Sequence, residues 1–222
     1  VSRVPTIEAS SLLKDVRYEI RGQLARRAHE LERQGYEILS LNIGNPGLFG
    51  LRTPETMRLA MIENLGAAEA YCNQKGIFPA REAVVMQQQE RGVMGVTAEH
   101  VFMGNGASEL IDLSLRALLN PGDEVLIPSP DYPLWTAATV LNGGRAVCYP
   151  CPEDNDFNPD LEALERLITP RTRALVVINP NNPTGAVYNR ACLTGMVELA
   201  EKHRLIMLSD EIYDQIVYDD AE

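Results

Sequence analysis

From residue 101 to residue 210 the chain repeats one pattern: a short apolar run, a polar turn, then a stretch with helical spacing. The runs VFMG (101–104), EVLIP (124–128), AVCYP (146–150), RALVVIN (173–179) and LIMLSD (205–210) read as strands. Helical stretches are expected at 107–119, 132–141, 161–168 and about 189–202. Strands that are apolar at nearly every position must be covered on both faces, and regular alternation with helices points to parallel pairing. The expected fold class is therefore α/β, a mostly parallel sheet with helices on both faces. In such sheets ligands sit beyond the carboxyl ends of the strands. Residues with chemical work to do belong just after each apolar run.

Ahead of this part, Leu12, Leu13, Val16, Ile20, Leu24, Ala28 and Leu31 recur at three and four, which predicts one helix over 12–34, ended by Gly35. ILSLNIGNPG then closes on a turn, and helices are expected at 54–65 and about 78–91. The composition shifts near residue 50. This suggests an N-terminal helical segment, 1–50, and an α/β domain, 51–222.

With 45% hydrophobic residues the chain can bury a sizeable core. Its formal net charge of -11 argues against a nucleic-acid surface, which needs clustered Lys and Arg. No apolar stretch approaches a membrane span, and the N-terminus lacks the apolar centre of a signal peptide. A cytoplasmic protein is expected. Cys148 and Cys151 form a C-x-x-C, but no second ligand pair has zinc spacing, so ordinary thiols and no metal are expected.

Four motifs fall where the sheet rule asks for them. GNGASEL (104–110) follows a strand and opens a helix, so the Ala107 and Ser108 amides and the helix dipole can hold an anion. Taken alone, it is equally a glycine turn with a serine cap. PSPDYPLW (128–135) brings Tyr132 out after a strand, where its ring could stack on a flat ligand or simply pack. NPNNPTG (179–185) is a proline-stiffened loop able to aim an amide at a ligand oxygen. SDEIY (209–213) ends an apolar strand on Asp210, a carboxylate that calls for a cationic partner such as a protonated pyridine nitrogen. Tyr213 lies one turn further on. An N-cap aspartate followed by a core tyrosine is the plainer alternative. G-x-G-x-x-G and the Walker lysine are both missing, which disfavours nicotinamide dehydrogenases and nucleotide binding.

In this order and spacing the motifs resemble those of the class I and II aminotransferases, pyridoxal-phosphate enzymes of fold type I. VRYEIRG (16–22), LNIGNP (41–46), PSPDYPLWTA (128–137) and ITPRTRALVVINPNNPTGAVY (168–188) are most similar to bacterial alanine aminotransferases. The resemblance covers the whole chain, as the N-terminal half of such an enzyme. It implies that Ala107 and Ser108 bind the phosphate of pyridoxal 5'-phosphate and that Tyr132 stacks on its ring. It implies that Asp210 pairs with the pyridine nitrogen and that Tyr213 bonds the ring hydroxyl oxygen. Asn182 would contact that same oxygen and the substrate carboxylate, with Gly44 and Tyr18 also lining the substrate site. Tyr71 would reach the cofactor of the neighbouring subunit, which implies a homodimer. Residues 1–50 would belong to the small domain and arm, and 51–222 to an incomplete large domain.

Transamination needs a lysine to carry the cofactor and move a proton. The lysines are Lys14, Lys75 and Lys202, and none follows Asp210. The Schiff-base lysine and the arginine that clamps substrate carboxylate are thus expected beyond Glu222, and the chain alone is expected to be inactive. The implied reaction is a ping-pong exchange between L-alanine and 2-oxoglutarate, with an amino acid and a 2-oxo acid as partners. Another amino-acid aminotransferase or a cysteine-conjugate β-lyase would use the same pocket. A non-catalytic regulator with this fold is the alternative of another class.

Overall fold

A computed structural model of the chain describes residues 8–16, 22–41 and 43–218. Four of the apolar runs form strands: β1 (Glu124–Ser129), β2 (Arg145–Pro150), β3 (Thr172–Ile178) and β4 (Ile206–Asp210). All neighbours are parallel, in the order β2-β1-β3-β4. The helices are α1 (Gly22–Arg33), α2 (Glu55–Asn64), α3 (Phe78–Glu90), α4 (Ala107–Leu118), α5 (Leu134–Leu141), α6 (Leu161–Leu167) and α7 (Arg190–His203). The chain divides into two units: Val1–Ile20 with Asn105–Glu222, and Arg21–Gly104. Neither boundary coincides with the composition shift near residue 50.

The sheet unit has an apolar core on each face, because successive strand residues point to opposite sides. Val125, Ile127, Ala174, Val176 and Ile178 pack with Ile111 and Leu115 of α4 and Trp135 and Ala138 of α5. Leu126, Leu175 and Val177 pack the other way, with Leu164 of α6 and Cys192 and Met196 of α7. Tyr149 and Tyr188 are fully buried on that second side. Tyr149 stays satisfied by donating its hydroxyl to the Val176 carbonyl at 2.8 Å. Burial pushes the Tyr149 and Tyr188 hydroxyls well up and the Cys192 thiol to about 11, which keeps this layer uncharged at neutral pH. All four cysteines are free thiols.

Side chains start the helices where the sequence offers them. Asp160 accepts from the Ala163 amide at 2.9 Å, and Asn189 accepts from the Cys192 amide at 2.8 Å. At the amino end of the sheet the buried Glu124 accepts from Thr169 (2.6 Å), Thr172 (3.3 Å) and the Arg145 guanidinium. These bonds to Thr169 and Arg145 outweigh the opposing effect of burial and hold its carboxyl below the usual range. Glu124 thus locks the end of the sheet that carries no predicted site residue.

From β1 the chain passes through α5 to β2, then returns through α6 to β3 on the other side of β1, and through α7 to β4. The direction of travel across the sheet reverses between β1 and β3. That reversal opens a crevice at the carboxyl ends of these strands.

The unit Arg21–Gly104 holds α1, α2, α3 and short 3-10 turns at Leu65–Glu69 and Ala98–His100. Its buried anchor is Arg81, 3% exposed. Arg81 donates to the carbonyls of Gly76 (3.0 Å) and Ala98 (2.6 Å) and meets the Glu99 carboxylate at 3.4 Å. Lys75 closes the cluster with 2.9 Å bonds to the Glu99 carbonyl and carboxylate. Gly76 has φ +106, and a Cβ there would collide with the Met103 side chain.

Two expectations are corrected. VFMG (101–104) is extended at Val101 but joins no ladder among the described residues; its one strand-like bond runs from the Met103 amide to the Lys75 carbonyl, 2.8 Å. An apolar run makes a strand only where a neighbouring backbone can pair with it. In place of one helix over 12–34, the described residues form a 3-10 turn, Ser11–Lys14, and the separate helix α1. Ser10 caps that turn by accepting from the Leu12 amide, and Asp15 closes it. No described helix is long and apolar enough to cross a membrane.

Candidate active site

A cavity of about 240 Å³ lies at the carboxyl ends of β3 and β4 and the amino end of α4. Ala107, Ser108, Tyr132, Asn182, Asp210 and Tyr213 all line it, with Ile111, Ile178 and Ile212 as its apolar wall. Six residues singled out from four separate sequence motifs therefore meet in one space.

The amino end of α4 is open. Its cap is Gly106, with φ +82 and no side chain to bond the first-turn amides. A Cβ at Gly106 would meet nothing within 4 Å. The Glu109 carboxylate of this first turn reaches back to accept from the Asn105 amide, in the loop just ahead of the cap. The Ser108 hydroxyl adds a further donor at the cavity wall.

Tyr132 leaves β1 through Pro130 and Asp131, and its carbonyl accepts from the Trp135 amide at 3.1 Å as α5 begins. Neighbouring Asp131 accepts from the Thr136 hydroxyl at 2.8 Å, yet burial pushes its carboxyl above the usual range.

The loop after β3 is stitched internally. Asn179 accepts from the Tyr188 amide at 2.8 Å, and the Asn181 amide nitrogen donates to the Thr184 hydroxyl at 2.9 Å and to the Pro130 carbonyl at 3.4 Å. The main chain closes the loop twice, from Gly185 to Asn181 and from Asn181 to Ala186, both at 2.8 Å. Asn182 is thus held by neighbours on each side, and a rigid backbone fixes where its amide can reach.

Asp210 ends β4, paired in register with Ile178. Its Oδ2 accepts from the indole N–H of Trp135 at 2.9 Å, and its Oδ1 from the Ile212 amide at 3.4 Å. Tyr213 follows in a turn rather than a helix; the Ile216 amide donates to its carbonyl at 2.8 Å. The sequence reading missed Trp135 as a partner of Asp210. The clue was its place in PSPDYPLW, three residues past Tyr132 and so on the same side of a helical turn.

Gly44 and Tyr71 belong to the other unit and are exposed, Tyr71 completely. Tyr18 lies outside the described residues. Two larger cavities share walls with the first. One, of about 350 Å³, includes Asn182 and Tyr213; the other, of about 370 Å³, includes Ala107, Trp135 and Asp210.

Known proteins resemble this chain in sequence and in fold. A family model described as "Aminotransferase class I and II" matches residues 36–222. The glutamate–pyruvate aminotransferase AlaA of Escherichia coli is 52% identical over 216 residues, 97% of this chain and 53% of that protein. An alanine aminotransferase of Mycobacterium tuberculosis is 53% identical over 214 residues, 96% of this chain and 50% of its own length. The crystal structure of an aminotransferase from Escherichia coli superimposes with a TM-score of 0.94 at 52% identity, covering 98% of this chain and 54% of that one. The chain spans about half the length of the curated relatives it matches. On this family match, these identities and this superposition, the chain belongs to the class I and II aminotransferases, a family that works with pyridoxal 5'-phosphate.

Proposed function

We propose that the whole protein is a cytoplasmic alanine aminotransferase exchanging an amino group between L-alanine and 2-oxoglutarate in a ping-pong reaction. The observation that carries this reading is the convergence of Ala107, Ser108, Tyr132, Asn182, Asp210 and Tyr213 on one cavity. The similarity to enzymes named for glutamate, pyruvate and alanine supports the choice of substrates.

These residues fit pyridoxal 5'-phosphate. The uncapped first turn of α4, with open space in front of Gly106, suits a phosphate. A carboxylate at the end of an apolar strand suits a protonated ring nitrogen. In this role the Ala107 and Ser108 amides and the Ser108 hydroxyl bind the phosphate oxygens. Tyr132 covers one face of the ring. The Asn182 amide donates to the ring hydroxyl oxygen and to the substrate carboxylate, and the Tyr213 hydroxyl donates to the same ring oxygen. Asp210 keeps the ring nitrogen protonated. When bound, the cofactor supplies an electron-withdrawing ring that draws off negative charge from the substrate α-carbon.

Gly44 and Tyr18 are assigned to the substrate site, and Tyr71 to the cofactor of the neighbouring subunit in a homodimer. In this reading 1–50 belongs to the small domain and arm, and 51–222 to the cofactor domain. Lys14, Lys75 and Lys202 do not line the cavity. We therefore assign the proton-moving lysine and the carboxylate-clamping arginine to residues outside these 222.

The test is a spectrum of the full-length protein titrated with pyridoxal 5'-phosphate, then with L-alanine, then with pyruvate. A cofactor absorbance band that alanine shifts and pyruvate restores is expected. A protein that takes up no cofactor ends the proposal. A cofactor complex indifferent to alanine but responsive to another amino donor replaces the substrate while keeping the chemistry.

A further inference from the structure

Trp135 has a role that packing alone does not explain. It is 4% exposed and sits in the core between α4, α5 and the sheet, among Ile111, Leu115, Val176 and Ile178. Its backbone is held as well: its amide donates to Tyr132 at 3.1 Å, and its carbonyl accepts from the buried Thr139 hydroxyl at 2.8 Å. From that fixed position the indole N–H reaches across 75 residues of sequence to Asp210 Oδ2, at 2.9 Å. The other oxygen, Oδ1, receives only the longer 3.4 Å approach of the Ile212 amide.

We infer that Trp135 is a positioning residue. Its indole N–H fixes the rotation of the Asp210 carboxylate, so that one oxygen is spoken for and the other is presented to the ring nitrogen of the cofactor. This rests on the proposed role of Asp210.

The choice of side chain is physically telling. An indole nitrogen is a donor only and does not ionise over the working pH range, so it never competes with the ring nitrogen for the carboxylate charge. A lysine or arginine here would form the ion pair itself and neutralise Asp210 before the cofactor could. A leucine would leave Oδ2 without this donor. A neutral donor held in a packed core supports the anion while leaving its charge available.

The geometry also ties two parts of the site together. Tyr132 and Trp135 are a single turn apart at the start of α5, and their backbones are bonded to each other. The backbone of Tyr132 is therefore held one turn away from the residue that bonds Asp210.

The experiment uses the full-length protein, stripped of cofactor and reloaded. Trp135→Phe removes the donor and keeps an aromatic ring; Trp135→His restores a donor on a smaller ring. A hydrogen bond to a charged group contributes enough that Trp135→Phe should weaken pyridoxal 5'-phosphate binding about 10-fold. kcat should fall more than KM changes, because the substrate groups are not touched. Trp135→His should recover most of the cofactor affinity.

The same substitution is then made in an Asp210→Asn background. If Trp135 acts through the carboxylate, its effect on cofactor affinity largely disappears there. Equal losses in both backgrounds, or a Trp135→His variant as weak as Trp135→Phe, overturn the inference in favour of packing. Wild-type affinity in Trp135→Phe also overturns it. Should Trp135→Phe fail to fold, the His variant decides: near-wild-type affinity supports a donor role, and a 10-fold loss removes it. Failure of the wild-type protein itself to bind cofactor would count against the proposed function, which separates the two results.

Discussion

The sheet unit and the helical unit 21–104 meet opposite fates with similar apolar content. In the first, the strand residues Val125, Leu126, Ile127, Leu175 and Val176 are wholly buried, because each has a helix on its own side of the sheet. In the second, Met57, Leu59, Met61, Ile62 and Leu65 on and just after α2 are at least half exposed, and α2 has no buried residue. Its anchor is a charged side chain, Arg81, held by carbonyls. Local pattern makes a helix in both units, but the two apolar core clusters among the described residues form around the paired sheet.

The sharpest way to break this contrast is to delete equivalent apolar groups from the two units. Leu126→Ala should lower unfolding free energy by about 2–5 kcal/mol, whereas Met61→Ala should stay within about 0.5 kcal/mol. Urea midpoints of the two variants check this, and a comparable loss at Met61 would show that α2 is buried after all. Next in size is Arg81→Leu, which strands the Gly76 and Ala98 carbonyls and should cost about 1–3 kcal/mol. Its effect should be local: amide exchange should rise across 73–104, with the sheet amides unaffected. Uniform loss of protection would mean that the two units unfold as one.

The smallest effect is a surface one within the sheet unit. Glu165 accepts from Lys202 at 2.6 Å and lies 3.1 Å from His203, and these partners hold its carboxyl below the usual 4.5. A depressed folded value stabilises above the unfolded value and is lost as pH falls through the folded one. The gap in thermal midpoint between the wild type and Glu165→Gln should therefore be present near about pH 6 and close by about pH 3. A gap that persists at low pH would assign the effect to packing rather than charge.

Much of the sheet was legible in sequence because its determinants are local. β1, β3 and β4 came from apolar runs, and α6 and α7 from helical stretches between them. The family followed from motif order, and the cavity gathers the six residues of the sheet unit proposed to hold the cofactor. What escaped depends on partners distant in sequence. Whether 101–104 becomes a strand depends on another backbone beside it, and the Trp135–Asp210 bond joins residues 75 apart. The break after Lys14 arises from a polar turn that apolar periodicity does not register.

The pairing of Ile178 with Asp210 has one further consequence. Along β4 the side chains alternate between faces, so Ser209 and Asp210 look opposite ways. With the start of the strand held, adding a single residue within 206–209 would put Ser209 in the aspartate's place opposite Ile178, and removing one would put Glu211 there. The site depends on an even–odd count along this strand as much as on the identity of the residue that ends it.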